Sequence, residues 1–233
     1  MNLLYLCGTQ STQTFLTMSD IPDKLDKRQH LLDVAEQLFA KHGYEAVSIR
    51  QLAAEAGVNL AMVSYYFGSK DGLFEELLKS KFPKTRGVLE DLAIADIHPW
   101  EKLTRTIDIY VDKFFQGRSF HRVIMRELSL QQRPIHVNFI REQMARNQEL
   151  IRGFIIEGQQ KGLFRYVDVE LTIATMFNLI SGAINHNSLM CTILKETDPE
   201  QVYSVKNRDR YKHHLKSLLQ SHLMGGGQQT GVP

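Results

Sequence analysis

Cysteine is scarce in this sequence: Cys7 and Cys191 are the only two in 233 residues, too few for a disulfide framework. Both read as inert thiols of a reducing compartment. Long apolar runs are missing as well. None approaches the length that spans a bilayer, so a cytoplasmic chain with no membrane partner is expected. Metal-binding patterns are absent despite nine histidines: there is no His-Glu-x-x-His, no cysteine pair at zinc spacing and no Glu-x-x-His. His213 and His214 are adjacent and so point to different helix faces, while His121 and His186 read as core or pocket side chains. Phosphate-cradling and dinucleotide-binding glycine motifs are also lacking. No metal and no cofactor are therefore expected.

Strand-like alternation and internal repeats are absent too, and what remains reads as helix after helix, an all-α chain. With 43% hydrophobic and 23% charged residues it can bury a sizeable core and fits one small and one larger domain. A strong charge bias is likewise missing: the net charge is +2, and residues 23–84 hold nine Lys/Arg against nine Asp/Glu. Bulk charge alone points to no polyanion. Placement has to carry any such binding, with Lys27, Arg28, Arg50 and Lys70 turned toward a partner and Glu36, Glu75 and Glu76 turned away.

The densest information lies in residues 48–70, SIRQLAAEAGVNLAMVSYYFGSK. Ser48 offers a hydroxyl to cap a helix starting at Ile49, with Gln51 placed to return the bond. Gly57 ends that helix in a backbone conformation that needs no Cβ, and Asn59 caps the next one. Helix, glycine turn, helix is the motif that places a recognition helix in a DNA major groove. In the second helix Leu60, Val63 and Phe67 share the face that packs inward, leaving Ala61, Met62 and Tyr65 opposite, with Ser64 and Tyr66 on the flanks. Ser69 caps a third helix, and Lys70 in its first turn sits where the helix dipole disfavours a cation and an incoming anion suits.

Residues 35–73, AEQLFAKHGYEAVSIRQLAAEAGVNLAMVSYYFGSKDGL, resemble the TetR-like bacterial one-component regulators throughout. The family motif often ends in tyrosine, histidine, phenylalanine, a short spacer and lysine. This chain has Tyr65, Tyr66, Phe67, Gly68, Ser69 and Lys70, with Tyr66 in place of the histidine; both side chains can donate to phosphate. The resemblance implies a three-helix DNA-binding domain joined to a helical ligand-binding and dimerisation domain. It further implies a homodimeric repressor that reads a pseudo-palindromic operator in double-stranded DNA and answers to a small-molecule effector. An activator, or a low-specificity DNA-binding protein of the same fold, is the alternative, and a helical enzyme or carrier that has lost DNA binding is a more distant one.

The expected organisation is an N-terminal arm over residues 1–25, a helix-turn-helix domain over 26–72, a ligand-binding and dimerisation domain over 73–224 and a flexible tail over 225–233. The arm lacks the basic region and apolar core of a secretory signal, and Met18 is a second candidate start. Asp26 and Gln29 form a further capping pair before Leu31, and Phe82-Pro83 interrupts or ends the connecting helix. His98-Pro99 opens the next helix, residues 120–131 form another, and Ile140, Met144, Ile151, Phe154 and Ile155 lie on one side of the one after it. Two helices remain. Ile173, Met176, Phe177, Ile180 and Ile184 stripe the first, beside a small-residue spot at Ser181, Gly182 and Ala183. Asp198-Pro199-Glu200 starts the last, striped by Val202, Val205, Tyr211, Leu215, Leu218 and Leu219. In the family these two helices pair with those of a twin subunit.

Roles follow from resemblance and geometry together. Ser48, Tyr65, Tyr66 and Lys70 are assigned to phosphates; Asn59, Ala61, Met62 and Ser64 to base edges; and Arg50 to a guanine. Phe114, Met125, Met144, Phe154, Phe177 and Asn178 are assigned to the effector pocket. The base-facing set has few long hydrogen-bonding side chains, so readout rests on thymine-methyl contacts from Ala61 and Met62 and on DNA shape. Replacing Met62 by Ala should therefore change the preferred site in a selection experiment; an unchanged preference would remove Met62 from the readout.

Overall fold

A computed structural model of the chain describes residues 20–185 and 187–225, all helix and connecting turn. The expectations for residues 1–19 of the N-terminal arm, for Met18, Cys7 and His186 and for the tail beyond residue 225 lie outside these residues, whereas residues 20–25, expected to belong to a disordered arm, are helical. Among the described residues ten α-helices and one 3-10 turn follow one another: α1 (Asp20–His42), α2 (Ile49–Glu55), α3 (Leu60–Phe67), α4 (Lys70–Ile94), α5 (Pro99–Gln116), α6 (Arg118–Leu130), α7 (Pro134–Gln160), α8 (Val169–Asn185), α9 (Asn187–Leu194), the 3-10 turn (Pro199–Tyr203) and α10 (Val205–Met224). No helix among the described residues is long and apolar enough to cross a membrane.

Most boundaries are set by local chemistry. Ser48, Asn59 and Ser69 each accept a backbone N–H with the side-chain oxygen, from Gln51, Ala61 and Gly72 respectively, so three successive helix starts are capped within 22 residues. His98 caps α5 through Nδ1, 3.1 Å from the Trp100 nitrogen, directly ahead of Pro99 in the first turn.

Three expectations need correction, and one helix was missed. α1 already runs through Asp26, which lies inside the helix rather than at its cap. Pro83 does not end the connecting helix: α4 continues to Ile94, because Phe82, Thr85, Leu89 and Leu92 stay buried along one side and hold the helix across the missing N–H. Asp198 caps only the short 3-10 turn, and the last helix starts at Val205 with Ser204 as its cap. Helix α9 was not foreseen as a separate element.

Two apolar clusters fill the molecule. The first joins α1 to α3 and the start of α4 with Phe120, Val123 and Ile124 of α6 and Ile140 of α7. The second joins the end of α4 with α5, the later part of α7, α8 and α10. Both long helices, α4 and α7, pass from one cluster to the other, and the division expected after residue 72 falls inside α4. Ion pairs lock α10 to α5: Lys216 to Asp108 and Lys212 to Asp112, both at 2.7 Å.

Gly72 fixes the angle between α3 and α4. A Cβ there would lie 2.1 Å from the Phe67 carbonyl oxygen, a backbone atom that cannot step aside. Gly87, in the same helix, faces open space. Gly72→Ala should destabilise the protein by about 1–3 kcal/mol, as overpacking does. Gly87→Ala should be neutral or stabilising by up to about 1 kcal/mol through the lost glycine entropy cost. Urea denaturation of the two variants checks this, and equal effects would contradict the close-approach role of Gly72.

Candidate functional site

The surface built by α2, α3 and the start of α4 presents most of the residues singled out in the sequence. Ser48 and Asn59 are exposed at their caps, where their side-chain oxygens accept the backbone N–H groups of Gln51 and Ala61. Arg50 is exposed on α2. On α3, Ala61, Ser64 and Tyr65 are exposed; Tyr65 is 73% accessible, a large ring standing in water beside Tyr66 with centroids 5.2 Å apart. Val63 and Phe67 anchor the opposite face in the first cluster.

Leu60 departs from the expected pattern: it is 40% accessible and joins the outer face instead of packing inward. It occupies the first turn, ahead of the point where α3 meets the preceding helices. Met62 and Tyr66 are half-buried flanks, so Met62 does not stand at the centre of the outer face. Sequence spacing alone could not fix which arc of an eight-residue helix faces out.

Lys70 is more constrained than a surface lysine. Its Nζ lies 4.1 Å from the centroid of the Tyr44 ring, a cation–π contact. Burial pulls its pKa below the ordinary lysine value, with Arg133 adding to the fall and Glu45 and Asp71 opposing it. The Tyr44 hydroxyl donates to Asp71 at 2.5 Å, and burial followed by that carboxylate raises the phenol well above its usual range. Arg133, between α6 and α7, places its guanidinium carbon 4.1 Å from the same ring and pairs with Glu127 and Glu45. Burial works against the guanidinium charge, but the Glu127 hydrogen bond and carboxylates outweigh it. Tyr44 and Arg133 are functional candidates that sequence reasoning missed, because they lie 26 and 63 residues from Lys70 and meet it only in the fold.

The charge sorting expected for this face holds only in part. Arg28 does not reach outward: it pairs with Glu76 and lies over the Phe67 ring at 5.3 Å. Glu36 is buried and bound to Lys81 at 2.7 Å.

A cavity of about 530 Å³ opens where the two apolar clusters meet. Phe82, Phe120 and Ile124 of the first cluster and Tyr110 of the second line it, with Phe114, Met125, Met144 and Phe177. Four of the six expected pocket residues are thus in its wall. Phe154 is not: it is buried in the second cluster. Asn178 is not either, since it is exposed on the outer side of α8. The wall also carries polar groups: Lys113, bonded to Thr85, and Asn147, both unforeseen, and His121, read from the sequence as a core or pocket side chain, whose ring lies tilted against Phe114 with centroids 4.2 Å apart. Burial pushes Lys113 down to about 8, assisted by the nearby charge of Lys81, and it pushes His121 down to about 4, assisted by Lys113. Among the described residues no group of histidine, cysteine and carboxylate side chains could hold a metal ion.

Residues 31–77 match the family model described as bacterial regulatory proteins, tetR family. The chain is 28% identical over 109 residues to the Bacillus subtilis protein named probable HTH-type transcriptional regulator YttP, covering 46% of this chain and 53% of that protein. It is 26% identical over 156 residues to the HTH-type transcriptional repressor KstR2 of Rhodococcus jostii, covering 65% of this chain and 75% of that protein. Among solved structures, the ketosteroid transcriptional regulator KstR2 of Mycobacterium tuberculosis shares the fold, with a TM-score of 0.67 at 17% identity over 85% of this chain and 95% of that one.

His121 generates a pH prediction. Its folded-state pKa lies below the unfolded value of 6.5, so the stability due to its neutral form is present above pH 6.5 and is lost as pH falls toward 4. At about 1.4 kcal/mol per unit the loss amounts to as much as about 3 kcal/mol. His121→Leu should lose correspondingly less stability than the parent between pH 6.5 and 4 in paired urea titrations; parallel curves would contradict the buried neutral imidazole.

Proposed function

We propose that this chain, which belongs to the TetR family by its N-terminal helix-turn-helix domain, is a homodimeric, effector-responsive repressor that binds a pseudo-palindromic operator. The observation that carries the reading is the outer face of α3. Leu60, Ala61, Ser64 and Tyr65 stand exposed in one arc, with Ser48 on one side and Lys70 at the N-terminus of α4 on the other. An exposed tyrosine among small side chains suits a phosphate contact flanking a closely approaching groove. Base readout then falls to Ala61, Ser64 and the Asn59 amide, with Met62 and Leu60 offering apolar contact to thymine methyls and Arg50 reaching for a guanine. Repression is favoured over activation by relatives named as repressors, among them KstR2 of Rhodococcus jostii and NicS of Pseudomonas putida.

The dimer reading draws on α8 and α10. Leu171, 65% accessible, Ala174, Thr175 and Asn178 line the outer side of α8, and Leu218 stands exposed on α10. Small and apolar side chains in this arrangement let a second pair of helices approach. Two recognition helices on a twofold axis would then meet successive major-groove faces about 34 Å apart. The cavity is the effector site in this reading, since its wall includes Phe82 of α4 and Phe120 of α6, which also pack under the helix-turn-helix.

The decisive experiment is selection of bound fragments from genomic DNA with the purified chain. Enrichment of a two-fold symmetric site supports both operator and dimer; uniform binding favours a low-specificity protein, and no binding removes the reading. Lys70→Ala should weaken binding to cognate and random DNA alike and lower the magnitude of the salt slope by about one, as loss of a single phosphate contact does. A loss confined to the cognate site would assign Lys70 to base readout instead.

A further inference from the structure

The cavity wall is mostly apolar, yet it carries one half-buried charge without a counter-ion among the described residues. Glu36 is neutralised by Lys81, and Asp112 by Lys212, with Arg208 a further 3.4 Å neighbour. Lys113 differs. Its ammonium donates to the Thr85 hydroxyl and lies 6.0 Å from the Phe82 ring centroid, and among the described residues no carboxylate pairs with it. The charge that acts on it is a second cation, Lys81. With a pKa held near 8 it is still protonated at neutral pH, in a place where an unpaired charge is costly. In the same wall the buried Nε2 of His121 has no hydrogen-bond partner. The imidazole is neutral under the same conditions, so a proton on Nε2 makes it a donor.

We propose that the cavity binds an apolar monocarboxylate, its carboxylate accepting from Lys113 and from the Nε2–H of His121, and its body lying against Phe82, Phe114 and Phe177. The proposal rests on the reading of this cavity as the effector site and adds the chemistry of the ligand. One ammonium and one neutral imidazole match a single negative charge. A phosphate ester carries up to about two negative charges, more than the one unpaired cation of the wall offers, and no arginine lines the wall to add a second. A cavity of about 530 Å³ lies in the range of sites that hold small, mostly apolar ligands, and it admits an alkanoate of medium length or a two-ring aryl acid.

The test is calorimetric titration of the purified full chain, with no DNA present, using octanoate, dodecanoate, hexadecanoate and naphthoate below their micellar concentrations. Each is compared with its methyl ester. At least one acid should bind at one site per chain and at least tenfold more tightly than its ester, the order of one charge-assisted hydrogen bond. Lys113→Met should abolish that preference while leaving ester affinity within about threefold, and Lys113→Arg should retain it. The thermal midpoint of Lys113→Met should stay level or rise, because an unpaired half-buried charge is removed; this shows that lost binding is not lost folding. Equal affinity for acid and ester in the parent chain, a preference that survives Lys113→Met, or no binding across the series would each overturn the proposal. Because DNA takes no part, failure of operator binding would leave this result standing, and failure here would leave operator binding untouched.

Discussion

The contact on which the DNA-facing surface depends is the Tyr44 ring with its two cations. Lys70 reaches it from the first turn of α4, and Arg133 reaches it from the junction of α6 and α7, each 4.1 Å from the centroid. Phe39 and Phe74 hold the ring from within the first cluster, and Asp71 holds its hydroxyl. Cation–π contacts of this kind are worth about 0.5–2 kcal/mol each, depending on desolvation. Their value here is chiefly geometric. A lysine on a flexible stem at a helix N-terminus gains a fixed direction, and that direction is set partly by an arginine anchored to the buried carboxylate of Glu127.

The same arrangement explains why the head and the body of the molecule are not mechanically separate. Phe120, Val123, Ile124 and Ile140 belong to the larger helical body by sequence, yet they complete the core beneath α1 to α4. Phe120 and Ile124 also line the cavity. A close-packed interior does not stretch continuously, so in the proposed reading an effector filling that space would press on side chains that support the recognition helix. Coupling in that reading would need no dedicated pathway, because the two cores share a wall.

What was legible in the sequence was what is decided locally. Ser48, Asn59 and Ser69 cap their helices because a short polar side chain next to free N–H groups has one good use, and Gly57 turns with φ near +63° because a side chain there would be strained. The helical succession was legible for the same reason. What failed depends on distant packing. Leu60 was placed inward by spacing but stands 40% exposed in the first turn of α3, and Pro83 was read as interrupting or ending the helix although buried residues on both sides carry it through. Phe154 and Asn178 were assigned to the cavity on residue type, which does not say which side of α7 or α8 faces inward. Lys113 went unnoticed because a lysine on an amphipathic helix ordinarily marks the wet side, and only the fold shows this one turned toward a hollow.

Pro83 has a further consequence. Without an amide hydrogen it cannot bond the Lys79 carbonyl, so α4 is short of one rung midway along its 25 residues. The residues before that gap belong to the first cluster, those after it to the second, and Phe82 beside it forms part of the cavity wall. Mechanically, α4 is two rods in series with a soft joint between them rather than one stiff rod. The missing rung falls where α4 passes from one cluster to the other, beside the hollow.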